Sequence, residues 1–165
     1  MMTTMTRCPK TSRSTYLTAT ASKLNAVTAR RRGSGAKPVA PLRVLCVEDN
    51  PYGRIVHSAV LRELGHAVSF VGTGEAAVET VAANEHDVVL MDIALADIDG
   101  IEATRRIRAL PGPAGRIPII GVSGRTEPRD AAAAMAAGMN AYLRKPASPA
   151  ELNEALRMAA RLRRA

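Results

Sequence analysis

Five polar residues stand at or just after the ends of apolar runs: Glu48 and Asp49 after "VLCV", Asp92 at the end of "DVVLMD", Ser123 at the end of "IPIIGVS", and Lys145 after "AYLR". Adjacent carboxylates repel, so the Glu48–Asp49 pair implies a cation or a strong donor beside it. Three carboxylates, with a carbonyl and waters, form an oxygen-donor set suited to Mg²⁺, which takes few protein ligands and keeps several waters. Asp92 then remains as a nucleophile, Ser123 as a hydroxyl donor and Lys145 as an ammonium. These are the parts needed for phosphoryl transfer to a carboxylate: the metal and Lys145 neutralise phosphoryl oxygens, and Ser123 donates a hydrogen bond to one of them.

An alternation of strands and helices positions these groups. The first strand is 43–48. A helix follows from the N-cap Asn50, with Pro51 at its first position, and runs to Leu64 before Gly65. "HAVSFV" is the second strand, and Thr73 caps the helix "GEAAVETVAANE". "DVVLMD" is the third, followed by the acidic loop "IALADIDG" and the helix "IEATRRIRAL". "IPIIGVSG" is the fourth, leading through "RTEPRD" into "AAAAMAAGM"; "AYLRKP" holds a short fifth. Ser148 to Glu151 form a capping box for a last helix that ends near "RLRRA". Short apolar strands alternating with helices imply right-handed crossovers and an α/β fold, a five-stranded parallel sheet with helices on both faces. Ligands in such sheets bind beyond the carboxyl ends of the strands, the rim where the five polar residues gather.

The chain of 165 residues is 47% hydrophobic but only 2% aromatic, so Val, Ile, Leu, Met and Ala must build the core. No apolar run approaches the roughly 18–20 residues of a bilayer span. The N-terminus lacks the apolar stretch of about 7–15 residues of a secretory signal. Cys8 and Cys46 share no metal-ligand spacing and read as free thiols, which makes a reducing cytoplasm the default location. The net charge of +8 is local: residues 1–42 hold eight Lys or Arg and no acid, whereas residues 43–165 hold fifteen of each sign. Residues 1–41 read as a basic extension too polar to offset its ordering entropy, attached to a domain over 42–165. Attraction to phosphate or a membrane surface is one use for such a tail, and its composition also matches an organellar transit peptide.

Residues 42 to about 163 resemble a response-regulator receiver domain of two-component signalling, through "VLCVEDN", "DVVLMDIALADIDG", "GVSG" and "AGMNAYLRKP" in the family's order and spacing. The "EDNPYGR" start and "AGMNAYLRKP" are most similar to receivers attached to hybrid sensor histidine kinases. The resemblance implies a flavodoxin-like (βα)5 fold, with Asp92 as phosphoacceptor and Mg²⁺ held by Glu48, Asp49, Asp92 and the Ala94 backbone carbonyl. It further implies Ser123 as switch hydroxyl, Tyr142 as switch aromatic, and Lys145 as signature lysine before a cis Pro146. Ala94 and Arg125 would flank the path of the water that removes the phosphoryl group. Two departures stand out: Leu95-Ala96 replaces the usual Met-Pro, freeing the loop backbone, and Ser123 replaces the commoner Thr.

The expected protein is therefore a non-enzymatic switch, phosphorylated by a sensor histidine kinase or a histidine phosphotransfer protein. It would act alone, without an output domain, by protein contact or as a phosphate relay or sink, with a phosphorylation-dependent homodimer as a further partner state. A nucleic-acid binder using the basic tail, with the receiver as its switch, is the alternative of a different class. A dinucleotide fingerprint, Gly72-x-Gly74-x-x-Ala77 with Asp92 after the next strand, competes locally but leaves Glu48, Asp49, Ser123 and Lys145 idle. An aspartate-nucleophile phosphatase would carry an acid where Ala94 stands. His57, His66 and His86 are expected at surface or helix-end positions, and Met135 and Met139 in the core.

Overall fold

The computed structural model describes residues 40–83, 85–124 and 127–163; most of the basic extension, and Arg125, lie outside the described residues. Five strands alternate with five helices: β1 Arg43–Val47, α1 Pro51–Glu63, β2 Ala67–Val71, α2 Gly74–Ala82, β3 Val88–Asp92, α3 Gly100–Arg108, β4 Ile119–Ser123, α4 Pro128–Ala136, β5 Ala141–Arg144 and α5 Pro149–Leu162. All strand pairs are parallel, and the sheet order is β2-β1-β3-β4-β5. The expected (βα)5 sheet is thus present.

Strand alternation sorts the apolar side chains into two layers. Leu45, Val47, Val89, Met91 and Ile119 face a core completed by α2, α3 and α4. Val44, Cys46, Val88, Leu90 and Ile120 face the opposite core, closed by Leu61 of α1 and by Leu152 and Leu156 of α5. Inner strands β3 and β4 are buried along their whole length, which is why they read as continuous apolar runs rather than alternating ones. The edge strands β2 and β5 remain half-buried.

Capping chemistry sets the helix starts. Asn50 accepts from Tyr52 N, Thr73 from Ala76 N, Asp99 from Glu102 N, and Ser148 and Glu151 complete their reciprocal box. The fourth helix differs from expectation: Pro128 starts it earlier, and it stops at Ala136 because Gly138 takes a φ of 105°. Ala134 takes the buried face of this helix, and Met135 beside it points outward, 48% exposed, contrary to the core position expected of it. Met139 enters the core as expected, its sulfur filling the space beside Gly121, where a Cβ would lie 2.6 Å away. His66 keeps the helix-end place expected of it, its backbone N–H donating to Leu61 O at 3.0 Å, but not at the surface. It is buried, and its Nδ1 accepts from Leu42 N at 3.3 Å.

A short 3-10 turn, Ala114–Arg116, which no sequence pattern announced, joins α3 to β4. Arg108 ties this end of the fold together. Its guanidinium donates to Gly138 O at 2.9 and 2.8 Å, to Gly115 O at 3.0 Å, to Ile117 O at 2.8 Å and to Asn140 Oδ1 at 3.1 Å. With no carboxylate among these partners, burial lowers its pKa from the ordinary arginine value. Replacing Arg108 by Met would keep the stem and strand several carbonyls, so a loss of roughly 2–4 kcal/mol is expected. A urea midpoint that drops with an unchanged slope would show it; a loss below about 0.5 kcal/mol would mean that water takes over the carbonyls.

Candidate functional site

The site is assembled at the carboxyl ends of β1, β3, β4 and β5. Beyond β1, Glu48 N still donates to Val71 O at 3.1 Å, so the residue remains pinned to β2. Its side chain is 1% exposed and accepts from Asn50 N at 3.3 Å, while Arg54 Nε donates to its backbone carbonyl at 2.7 Å. The first turn of α1 lies flush on this carboxylate: a Cβ on Gly53 would stand 2.5 Å from Glu48 Cδ. Asp49, one residue on, is exposed. Asp92 is the last residue of β3 and is buried; its Oδ1 accepts from Ala94 N at 3.0 Å.

Lys145 closes the group from the far side of the sheet. Its backbone N donates to Ser123 O at 2.8 Å, extending the β4–β5 ladder by one residue, and the bond to Pro146 is cis. The ammonium donates to Glu48 Oε2 at 2.7 Å and to Asp92 Oδ2 at 2.6 Å. Desolvation alone would lower its pKa, but the hydrogen bonds and charges of Asp92 and Glu48 outweigh it and hold the ammonium above the usual lysine value. Ser123 is fully buried at the end of β4, and Tyr142 of β5 packs half-buried against the α2–α4 core.

Glu48, Asp49 and Asp92 each offer a carboxylate oxygen within 4.8 Å of the others. One ammonium against three carboxylates leaves two negative charges uncompensated, the charge of a divalent cation. The donors are all hard oxygens, one of them solvent-facing, which fits an ion that keeps several waters.

Several neighbours were not legible beforehand. His57 is not a surface group: its Nδ1 lies 3.7 Å from Glu48 Oε2 and 3.6 Å from Cys46 Sγ, beneath the site. Burial lowers its pKa despite the pull of Glu48, and burial with the Glu48 charge pushes the Cys46 thiol up to about 12. Both are therefore neutral packing groups. The dinucleotide reading fails on geometry. The Gly74 and Glu75 N–H groups that would face a pyrophosphate donate instead to Asp97, and a Cβ-sized space beside Gly74 is filled by Ile98.

This sheet and rim define an α/β domain with a candidate divalent-cation site beyond its strand ends. The chain belongs to the response regulator receiver domain family, which it matches over residues 44–157, and thereby to the proteins of two-component signalling. It is 41% identical over 115 residues to the two-component response regulator ORR41 of Oryza sativa subsp. japonica, covering 67% of this chain and 88% of that protein. It is 38% identical over 104 residues to the gliding motility regulatory protein of Myxococcus xanthus, covering 63% of this chain but only 13% of that much longer protein. Among solved structures it resembles the receiver domain of the Pseudomonas aeruginosa sensor histidine kinase PA1611, with 39% identity, a TM-score of 0.66, and coverage of 76% of this chain and 100% of that one. That receiver holds a magnesium ion coordinated in its active site cleft. Among the described residues here, no helix is long and apolar enough to cross a membrane.

The Lys145 pairings carry a pH signature. Because its folded pKa is raised, the stabilisation is fully present below the ordinary lysine value of 10.5 and is lost as pH rises through the folded value. The stability gap between wild type and Lys145→Met, measured by urea unfolding, should therefore narrow above pH 10.5. A gap that stays constant across that range would show that the ammonium charge is not what holds the two carboxylates.

Proposed function

We propose that Asp92 accepts a phosphoryl group from a phosphohistidine of a sensor histidine kinase or a histidine phosphotransfer protein, and that the domain over 42–165 signals by the resulting change of shape. The observation that carries this reading is the Lys145 ammonium, 2.6 Å from Asp92 and 2.7 Å from Glu48 at the rim of the sheet. A buried carboxylate with an ammonium beside it and two further acids within reach is built to become an acyl phosphate. An Asp92 carboxylate oxygen attacks phosphorus, the P–N bond to the donor ring breaks, and that ring, protonated on its other nitrogen, leaves as neutral imidazole with the electron pair of the broken bond. Glu48, Asp49, Asp92 and the Ala94 carbonyl would hold Mg²⁺, which, when bound, neutralises the phosphoryl oxygens and orients them in line. The same ion in the related PA1611 receiver supports that choice.

Lys145 can follow Asp92 Oδ2 onto a phosphoryl oxygen without leaving its β5 anchor. The buried Ser123 hydroxyl turns toward the new group, a contact present only in the phosphorylated state and so able to shift a conformational equilibrium. Tyr142, on the neighbouring strand, moves with it and remodels the face formed by α4, β5 and α5. The protein is thus a switch rather than a turnover catalyst.

Purified wild type should take up label from a phosphorylated kinase or a small phosphodonor and stop when Mg²⁺ is chelated. Normal uptake by Asp92→Asn would sink the proposal. The lifetime of the phosphorylated state offers a second check. Ala94 is exposed and offers no side-chain group to orient an attacking water, so dephosphorylation should be slow. Ala94→Asn, which introduces an amide there, should shorten the half-life by roughly tenfold or more; an unchanged half-life means another group controls water access.

A further inference from the structure

The loop between β3 and α3, residues 93–99, carries the one proposed metal ligand that is not a side chain, the carbonyl of Ala94. Gly100 N donates to Ile93 O at 3.0 Å and ties its two ends together, and at its start Ala94 N donates to Asp92 Oδ1 at 3.0 Å. Between these ties the backbone has no proline to stiffen it, only Leu95 and Ala96. Instead, Asp97 reaches out of the loop to the start of α2. Its Oδ1 accepts from Gly74 N at 2.8 Å and its Oδ2 from Glu75 N at 2.9 Å. The next residue reinforces the grip, since a Cβ on Gly74 would lie 2.6 Å from Ile98 Cγ1 and 2.7 Å from Ile98 O. Leu95 and Ile98 both pack on the α2–α4 core.

The helix has a cap of its own. Thr73 Oγ1 accepts from Ala76 N at 3.2 Å, and Thr73 O accepts from Ala77 N at 3.1 Å. Asp97 takes the two remaining first-turn donors. Glu75 is exposed, and without Asp97 its N–H would turn to water, but Gly74 is buried and its N–H would lose its partner, so Asp97 serves α2 as a cap as well. The loop gains as well, because two charge-assisted hydrogen bonds add a directional hold to the packing of Leu95 and Ile98 in its middle. Slight desolvation works against it, but the backbone N–H groups of Glu75 and Gly74 hold the Asp97 carboxyl below the usual range, so the grip is that of a carboxylate.

We propose that Asp97 is a positioning residue for the cation site: by gripping the N-terminus of α2 it holds the 93–99 loop, and with it the Ala94 carbonyl, in place for the metal. This inference rests on the Mg²⁺ reading above. It implies a reciprocal effect, because two linked events must favour each other equally: Mg²⁺ at the rim should tighten the bonds at Gly74 and Glu75.

The test is a Mg²⁺ titration of isotope-labelled protein followed by amide shifts, with urea unfolding of each variant run alongside. Asp97→Ala should raise the Mg²⁺ midpoint by roughly threefold to tenfold, somewhat less than the ~10–100-fold typical of partners bonded directly to metal ligands. Asp97→Asn, which keeps an acceptor but not the charge, should fall between. At saturating Mg²⁺ the maximal phosphorylation rate should recover. In wild type, Mg²⁺ should slow hydrogen exchange at the Gly74 and Glu75 amides, and in Asp97→Ala it should not. If wild type binds Mg²⁺ and both variants share its midpoint, the inference is overturned while the metal reading stands; lowered stability with an unchanged midpoint would likewise make Asp97 a helix cap only. A wild type with no response to Mg²⁺ at Asp92 and Ala94 overturns both.

Discussion

The ammonium of Lys145, seated between Glu48 and Asp92, is the constraint on which the rest of the rim depends. Two acids buried to 1% and 6% exposure would repel each other and lose their hydration, and removing one partner from such a set is far more costly than the set is stabilising. The arrangement is therefore all or nothing. It requires β5 to stop where Lys145 can reach back across β4 and β3 to β1, and the ladder bond from Lys145 N to Ser123 O sets that reach. It also requires the first turn of α1 to leave room for the Glu48 carboxylate, which Gly53 does by having no side chain.

Charge logic explains why the rim is not neutral as it stands. Lys145 answers two of the three carboxylates and cannot answer Asp49, which stays in water. All three acids are close enough to share one ion, and the oxygen-only donor set disfavours softer metals. His57 and Cys46, which would favour them, lie below the site, and burial keeps both neutral.

The residues whose placement was legible in the sequence were those at strand ends. Glu48, Asp49, Asp92, Ser123 and Lys145 each follow an apolar run, and period alone brings them to one rim. Helix caps were legible for the same reason, since Asn50, Thr73 and Ser148 act within their own turn. What remained hidden depends on partners remote in the chain. His57 reads as an ordinary helical residue until α1 is docked over β1. Arg108 reads as one of a run of helix-surface arginines until α3, the 3-10 turn and the α4 terminus converge on it. Asp97 reads as one acid in an acidic loop, yet it occupies the donors that made "VGTGEAAV" look like a phosphate cradle. A local pattern cannot say whether an N–H faces a ligand or another part of the chain.

Gly121 shows how an absent side chain can connect the rim to a distant face. It pairs with Tyr142 across the β4–β5 ladder, and the position its Cβ would occupy is approached by Met139 Sδ, by Tyr142 Cδ2 at 3.5 Å and by Ile93 Cδ1 at 3.6 Å. Ile93 directly follows Asp92 and is fully buried. A close-packed interior has few voids to absorb a displacement, so a shift of the backbone at Asp92 and Ile93 meets the Tyr142 ring and Met139 at once. Met139 is the adaptable member of this contact, being unbranched and soft, whereas the Tyr142 ring is stiff and half-exposed on an edge strand. Under the proposed switch, a rearrangement at the rim would reach Tyr142 on the edge strand β5 through this contact.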